Sequence, residues 1–306
     1  MGFHRYLSSA LTSTAIVTAL VITLPAPTFA LSGEEVNDIA REVTVLIKGK
    51  ESHGSGVIIS KSDKTYYVLT AYHVVNDPDE YKVVAPDKQA YQLDLSKVKR
   101  LPNVDLAVVE FTSDKEYKIA KLANSDLAKE GGSVFVSGWP APGLVGNESG
   151  NSTIRQFTSG EISGLLEQPY NGYKLVYTNV TRRGMSGGPV FDAGGRVVGI
   201  HGLGETEDLK ALGIEKMSPE AASIVGLIKP GFNYAIPINT FLRLAPQASL
   251  FLSLQVDNSP APKPGAPYVA SNQPDSRDKI DDLNSVLNTV NNTLDTFQRV
   301  RDILPF

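Results

Sequence analysis

The chain has 306 residues, 42% apolar and 20% charged, and its 29 Lys and Arg against 33 Asp and Glu leave a formal net charge of −4. That length suits one large domain or two small ones with real cores, and the apolar content excludes disorder along the whole chain. Mild acidity without a long basic run argues against nucleic acid as a partner, and the absence of Cys excludes disulfides, thiolate zinc sites, iron–sulfur clusters and cysteine nucleophiles.

Residues 1–30 read as a signal peptide. Arg5 precedes an apolar stretch from Leu7 to Leu24, then Pro25 and Pro27, and the small residue Ala30 closes Thr28-Phe29-Ala30. The competing reading is a retained anchor, since the stretch is near the lower limit for crossing a bilayer. Ser8, Ser9, Thr12, Ser13, Thr14 and Thr18 dilute its apolarity and favour cleavage. The expected location is therefore the periplasm or the medium, with membrane contact only if the segment is retained; export without disulfides fits a bacterial envelope.

A short helix is expected over Glu34–Val43, followed by β-rich runs. These are Val43–Lys48, Gly56–Ser60, Tyr66–Thr70, Tyr81–Ala85, Tyr91–Leu95 and Leu106–Phe111, then Val134–Val136, Ile154–Thr158, Lys174–Tyr177, Pro189–Phe191, Arg196–Ile200 and Asn233–Pro237. Many are rich in Val, Ile and Tyr, with Gly, Pro, Asn or Asp between them. So many short strands with little helix imply an all-β sandwich or barrels, and Lys121–Gly132 reads as a connector dividing them into two groups. Glu205–Gly231 is long for a strand connection and holds a helix-start signal at Ser218-Pro219. Asn239–Leu244 could begin a closing helix, so that one domain extends over 31–256.

From 257 to 280 the chain is rich in Pro, Ser and Ala, as in a semi-extended linker. Over 281–306, Leu283, Val286, Val290, Phe297, Val300 and Leu304 recur at alternating spacings of three and four, with Thr293 in the remaining seam position, an amphipathic helix with a coiled-coil-like stripe. Self-association through 283–304 and a tail folded back on its own domain both fit this pattern.

Three segments carry chemistry. His73 closes the run Tyr66-Tyr-Val-Leu-Thr-Ala-Tyr-His, Asp105 opens the apolar run Asp105-Leu-Ala-Val-Val, and Ser186 lies in Gly184-Met-Ser-Gly-Gly-Pro189. A serine hydroxyl needs a neighbouring base to become a nucleophile. Glycine before it lets backbone N–H groups converge where an oxyanion would form. Imidazole can serve as base and then acid near neutrality, and a carboxylate behind it fixes the tautomer. Each segment alone is ambiguous: the first a strand-end histidine, the second a strand-start carboxylate, the third a glycine-rich turn. Their order on a β-rich chain is what points to a catalytic set.

Through Thr70-Ala71-Tyr72-His73, Asp105-Leu106-Ala107 and Gly184-Met185-Ser186-Gly187-Gly188-Pro189, the sequence resembles the trypsin/chymotrypsin-like serine endopeptidases, in particular their disulfide-free bacterial branch, over about residues 35–245. The resemblance implies two six-stranded antiparallel β-barrels, about 43–120 and 133–238, with a short C-terminal helix appended. It also implies an active site between the barrels: His73 and Asp105 from the first, Ser186 from the second, and the N–H groups of Gly184 and Ser186 as oxyanion hole. Met185 stands where animal digestive relatives carry the Asp of their zymogen ion pair, so that activation switch is not expected.

For the pocket, the same resemblance points to Val180, Thr181 and His201. Val180 replaces the Asp with which trypsin-like enzymes bind Lys or Arg, and Thr181 with His201 resembles the carboxylate grip of bacterial glutamyl endopeptidases. Hydroxyl and imidazole can both donate charge-assisted hydrogen bonds to a carboxylate. Gly202-Leu203-Gly204, with Gly202 and Gly204 as binding positions, is expected to pair with substrate backbone as an added strand, giving affinity with little sequence demand. No cofactor or metal is expected, and the partners are protein or peptide substrates. The alternatives are a catalytically silent protease fold that binds peptides, an active protease with a small or apolar P1 preference, and a membrane-tethered scaffold.

Overall fold

A computed structural model describes residues 30–50, 52–141, 154–204 and 231–263. The signal segment, the insertion over 205–230, most of the expected linker and the helix expected over 281–306 lie outside the described residues. No helix among those described is long and apolar enough to cross a membrane.

Helix α1 (Gly33–Val43) starts where its sequence dictates. Ser32 Oγ accepts from the Glu35 N–H at 3.2 Å and the Glu35 carboxylate accepts from the Ser32 N–H at 2.8 Å, a capping box that satisfies two orphan donors. Val36, Ala40 and Val43 form its buried stripe, and the chain turns extended at Thr44.

The first sheet contains β1 (Thr44–Lys48), β2 (His53–Ser62), β3 (Thr65–Thr70), β4 (Lys82–Val84), β5 (Ala90–Gln92), β6 (Lys99–Arg100) and β7 (Ala107–Thr112). Their order is β5-β4-β1-β2-β3-β7-β6, antiparallel throughout. β5 and β7 stand far apart in that order, yet the Tyr91 ring stacks on Phe111 at 4.8 Å and its hydroxyl meets Ser113 Oγ at 2.7 Å. The sheet is therefore curled into a barrel, with the aromatic side chains of β3, β5 and β7 filling one end.

The second sheet contains β8 (Lys121–Ala123), β9 (Ser133–Gly138), β10 (Gln156–Tyr170), β11 (Tyr173–Tyr177), β12 (Pro189–Asp192), β13 (Val197–Gly204), β14 (Asn233–Pro237) and β15 (Gln255–Asp257). Six of them close a ring, β9-β10-β11-β14-β13-β12 and back to β9, every pairing antiparallel. β8 adds to β13, and β15 to β8, as short parallel extensions. Helix α2 (Ile238–Leu244) follows β14 directly and buries Ile238 and Phe241.

The two-residue period of the strands sorts side chains between cores. On β2, Ile58 belongs to the interior of the first barrel, while Val57 and Ile59 face a second core. On β7, Val109 and Phe111 point inward and Val108 outward. The outward set packs with Val36, Ala40, Phe135, Tyr173, Phe191, Ile200, Ile236 and Phe241, so the largest core lies between the two barrels. Strands buried on both faces read as continuous apolar runs, as these do.

All twelve expected strands form, as do both short helices, although the strand expected over Tyr91–Leu95 ends at Gln92 and Leu95 opens a 3-10 turn. β6, β8 and β15 add to them, and β10 runs to Tyr170, well past the expected Thr158, as a ribbon whose outer half is largely exposed. The start of the expected linker is tied down: the Arg196 guanidinium, buried against Asp192 at 2.6 Å, also donates to Ser259 Oγ at 2.7 Å.

Candidate active site

β3 ends at Thr70, and the chain enters a single 3-10 turn (Tyr72–Val74) that carries His73. Asp105 lies just before β7 and grips that turn twice. Its Oδ1 accepts from the His73 N–H at 2.9 Å, and its Oδ2 lies 2.6 Å from His73 Nδ1. The Asp105 carbonyl also accepts from the Tyr72 N–H at 3.2 Å. Imidazole orientation is thus fixed through main chain and ring together. Burial works against the Asp105 charge, but hydrogen bonds from His73 and Tyr173 outweigh it and hold the carboxyl below the usual carboxylate range.

Ser186 sits between β11 and β12 in a turn that needs glycine on both sides, with φ of +89° at Gly184 and +84° at Gly187. The first barrel holds this turn. Ser55 N–H donates to the Ser186 carbonyl at 2.7 Å, and Ser55 Oγ donates to the Gly184 carbonyl at 2.9 Å while accepting from the Trp139 N–H at 2.8 Å. Ala141 N–H donates to the Arg183 carbonyl at 2.7 Å. With these carbonyls engaged, the N–H groups of Gly184 and Ser186 make no hydrogen bond among the described residues.

Among the described residues no hydrogen bond joins His73 to Ser186; the two lie near each other through intermediaries. Ser186 Oγ donates to the Gly202 carbonyl at 3.3 Å, a Cβ on Gly202 would stand 1.9 Å from the Tyr173 hydroxyl, and that hydroxyl donates to Asp105 Oδ2 at 2.6 Å. From the other side, a Cβ on Gly187 would meet Thr70 Oγ1 at 2.2 Å, three residues before His73. His73 is half-exposed and Asp105 mostly covered. A hydroxyl, an imidazole held by a carboxylate and a pair of uncommitted N–H groups can together perform acyl transfer.

The residues expected to form the pocket fall in two environments. Thr181 is fully buried and donates to Asn233 Oδ1, and Asn233 in turn donates to the Asn179 carbonyl at 2.5 Å. His201 is fully buried with Nδ1 2.6 Å from the Tyr177 hydroxyl. Asn233 on β14 pairs with Tyr177 on β11, which brings Thr181 and His201 onto one patch of the second barrel. Val180, by contrast, is 68% exposed. β13 pairs with β14 as far as Gly204, whereas β12 leaves it after Ile200, so Gly202–Gly204 has no strand on that side among the described residues. Met185 is buried against Gly138.

Sequence reasoning missed three participants: Ser55, Asn171 and Tyr173. Asn171-Gly172 is a two-residue hairpin signature, and its carbonyl at Asn171 accepts from the Asp105 N–H at 3.0 Å. The tyrosine directly after that turn was the available signal for Tyr173. Ser55, between Gly54 and Gly56, carried none beyond its small neighbours.

Residues 54–200 match the model of the trypsin-like peptidase domain. Over 155 residues the chain is 36% identical to a "Probable periplasmic serine endoprotease DegP-like" of Brucella suis biovar 1 (strain 1330), covering 49% of this chain and 27% of that protein. It is 28% identical over 163 residues to "Serine protease Do-like HtrA" of Bacillus subtilis (strain 168), covering 51% of this chain and 34% of that one. The chain therefore spans about a third or less of the length of these relatives. A solved structure, "HtrA-type protease AlgW with tripeptide", shares the fold with a TM-score of 0.53 at 22% identity, covering 71% of this chain and 63% of that one.

Proposed function

We propose that this chain, which through residues 54–200 belongs to the trypsin-like peptidase family, is a serine endopeptidase acting through an acyl-enzyme on Ser186. His73 takes the Ser186 proton as the hydroxyl leaves the Gly202 carbonyl and attacks the scissile carbonyl; it then protonates the leaving amine. Asp105 holds the proton-bearing Nδ1 and stabilises the imidazolium. The N–H groups of Gly184 and Ser186 receive the oxyanion. Water, activated by the same imidazole, releases the acyl group. The observation that carries this reading is the two-point grip of Asp105 on the His73 turn, joined through Tyr173 and Gly202 to Ser186.

A fluorophosphonate probe on the purified protein is expected to label Ser186 alone, seen by peptide mapping, with casein hydrolysed in parallel. A protein that folds yet takes no label and cleaves nothing is a peptide-binding module instead.

The pocket reading is a preference for Glu, with Asp second, at P1. His201 Nδ1 lies 2.6 Å from the Tyr177 hydroxyl, and in the tautomer in which that nitrogen accepts, Nε2 carries the proton and can donate to a carboxylate. Thr181 lies on the same patch, and Arg182 and Arg183 add positive potential nearby. Gly202–Gly204 offers to substrate backbone an edge that has no strand beside it among the described residues. Cleavage of a mixed peptide library is expected to enrich Glu before the cut; enrichment of Leu or Ala would assign a small or apolar pocket. Export fits the apolar segment at 1–30 and the periplasmic designation of the Brucella relative. The domain, linker and terminal-helix division at 31–256, 257–280 and 281–306 stands as part of this proposal, with the self-association that a terminal stripe permits.

A further inference from the structure

Asp105 is held from the second barrel as well as by its own. The β10–β11 hairpin turns at Asn171 and Gly172, with φ of +48° and +91°, and reaches across to Asp105. Its Asn171 carbonyl takes the Asp105 N–H at 3.0 Å, and its Tyr173 hydroxyl donates to Asp105 Oδ2 at 2.6 Å, the same oxygen that faces His73 Nδ1. A Cβ on Gly172 would press on Val104 at 2.8 Å, so the turn lies flat against the segment before β7 only as glycine. Gly202 completes the arrangement: any side chain there would displace the Tyr173 hydroxyl.

We infer that Tyr173 is a positioning residue for the proton relay, a donor from the second barrel that fixes the Asp105 carboxylate toward His73, with Gly202 kept bare to admit it. The inference rests on the endopeptidase reading and deepens it. It explains why a buried tyrosine at the start of β11 points its hydroxyl at a carboxylate from the other barrel rather than at a strand neighbour. The titratable groups facing Asp105 are His73 from the turn after β3 and Tyr173 from β11, with Tyr177 farther along the same strand.

Removing the Tyr173 hydroxyl has two opposing effects. Oδ2 gains charge density and becomes a better acceptor for Nδ1–H, but the carboxylate loses a tether. Misplacing a catalytic group by about 1 Å can cost about 10²-fold, so loss of orientation outweighs the gain in basicity.

Tyr173→Phe keeps the packed ring and removes one atom. It is expected to lower kcat about tenfold with KM unchanged, and to move the acid limb of the kcat/KM profile to higher pH, because the undivided carboxylate charge holds the imidazole proton more firmly. The low-field proton resonance of His73 Nδ1–H is expected to move downfield in the same variant. Tyr173→Leu combined with Gly202→Ser, which puts a hydroxyl where the phenol stood, is expected to recover kcat over Tyr173→Leu alone. If wild-type turnover is absent, the endopeptidase reading fails, and the resonance still decides the role of Tyr173. A folded Tyr173→Phe with wild-type kcat, acid limb and resonance overturns the inference.

Discussion

Ser186→Ala is expected to lower kcat by about 10⁶-fold while leaving the thermal midpoint nearly unchanged. The hydroxyl is partly buried and makes one hydrogen bond among the described residues, at 3.3 Å to the Gly202 carbonyl, so its removal costs little packing. The turn around it is held by main-chain bonds to Ser55 and Ala141 and by the glycines at 184 and 187, none of which involves the hydroxyl. Asp105→Asn is expected to fall less, about 10⁴-fold, through the wrong imidazole tautomer. An amide at 105 can still accept from the His73 N–H, but it presents a donor or a weaker acceptor to Nδ1. The double variant should be no worse than Ser186→Ala, because the three side chains act as a unit and their effects do not add. Turnover numbers on one peptide, with circular dichroism as the folding control, decide this; additive losses, or a Ser186→Ala rate near wild type, would remove Ser186 from the chemistry.

Much of this molecule was legible in its sequence, for reasons that can be traced to particular segments. β3 and β7 are largely apolar runs because each is buried on both faces, between the first barrel's interior and the shared core. His73 and Asp105 lie just outside their strands, where a side chain can face another element, and the glycines around Ser186 mark a turn that other residues cannot make. β6, β8 and β15 escaped because two or three residues carry no period to detect. The far half of β10 escaped because a ribbon with little burial has no apolar alternation; Glu161, Ser163, Glu167 and Gln168 read as loop.

What remained hidden was mostly long-range. Ser55 meets Gly184 across 129 positions, and Tyr173 meets Asp105 across 68. Nothing local in either residue encodes the partner; the two barrels must be assembled first. The proposed pocket shows the same limit in another form. The family resemblance singled out Thr181 and His201, but their hydrogen-bond partners Asn233 and Tyr177 come from β14 and β11 and become neighbours only when the ring closes.

Gly187→Ala should show how tightly the nucleophile turn is fixed by that assembly. At φ of +84° an L side chain costs about 1–2 kcal/mol, and its Cβ would stand 2.1 Å from the Ser55 carbonyl and 2.2 Å from Thr70 Oγ1. The first obstacle is backbone of β2 and cannot swing aside, so overpacking adds about 1–3 kcal/mol. Gly131 supplies the control: its φ is +76°, but a Cβ there meets nothing within 4 Å, so Gly131→Ala bears only the conformational part. The expected difference in stability between the two variants is therefore about 1–3 kcal/mol, read as separate midpoints in urea. Activity should separate them further. Relief of the clash moves residue 187 away from the end of β3 and carries Ser186 with it, away from the His73 turn, and a displacement near 1 Å is worth about 10²-fold in rate. Gly131→Ala should keep wild-type kcat. If Gly187→Ala matched Gly131→Ala in both midpoint and kcat, the contact between the nucleophile turn and β2–β3 would not be what aligns Ser186 with His73.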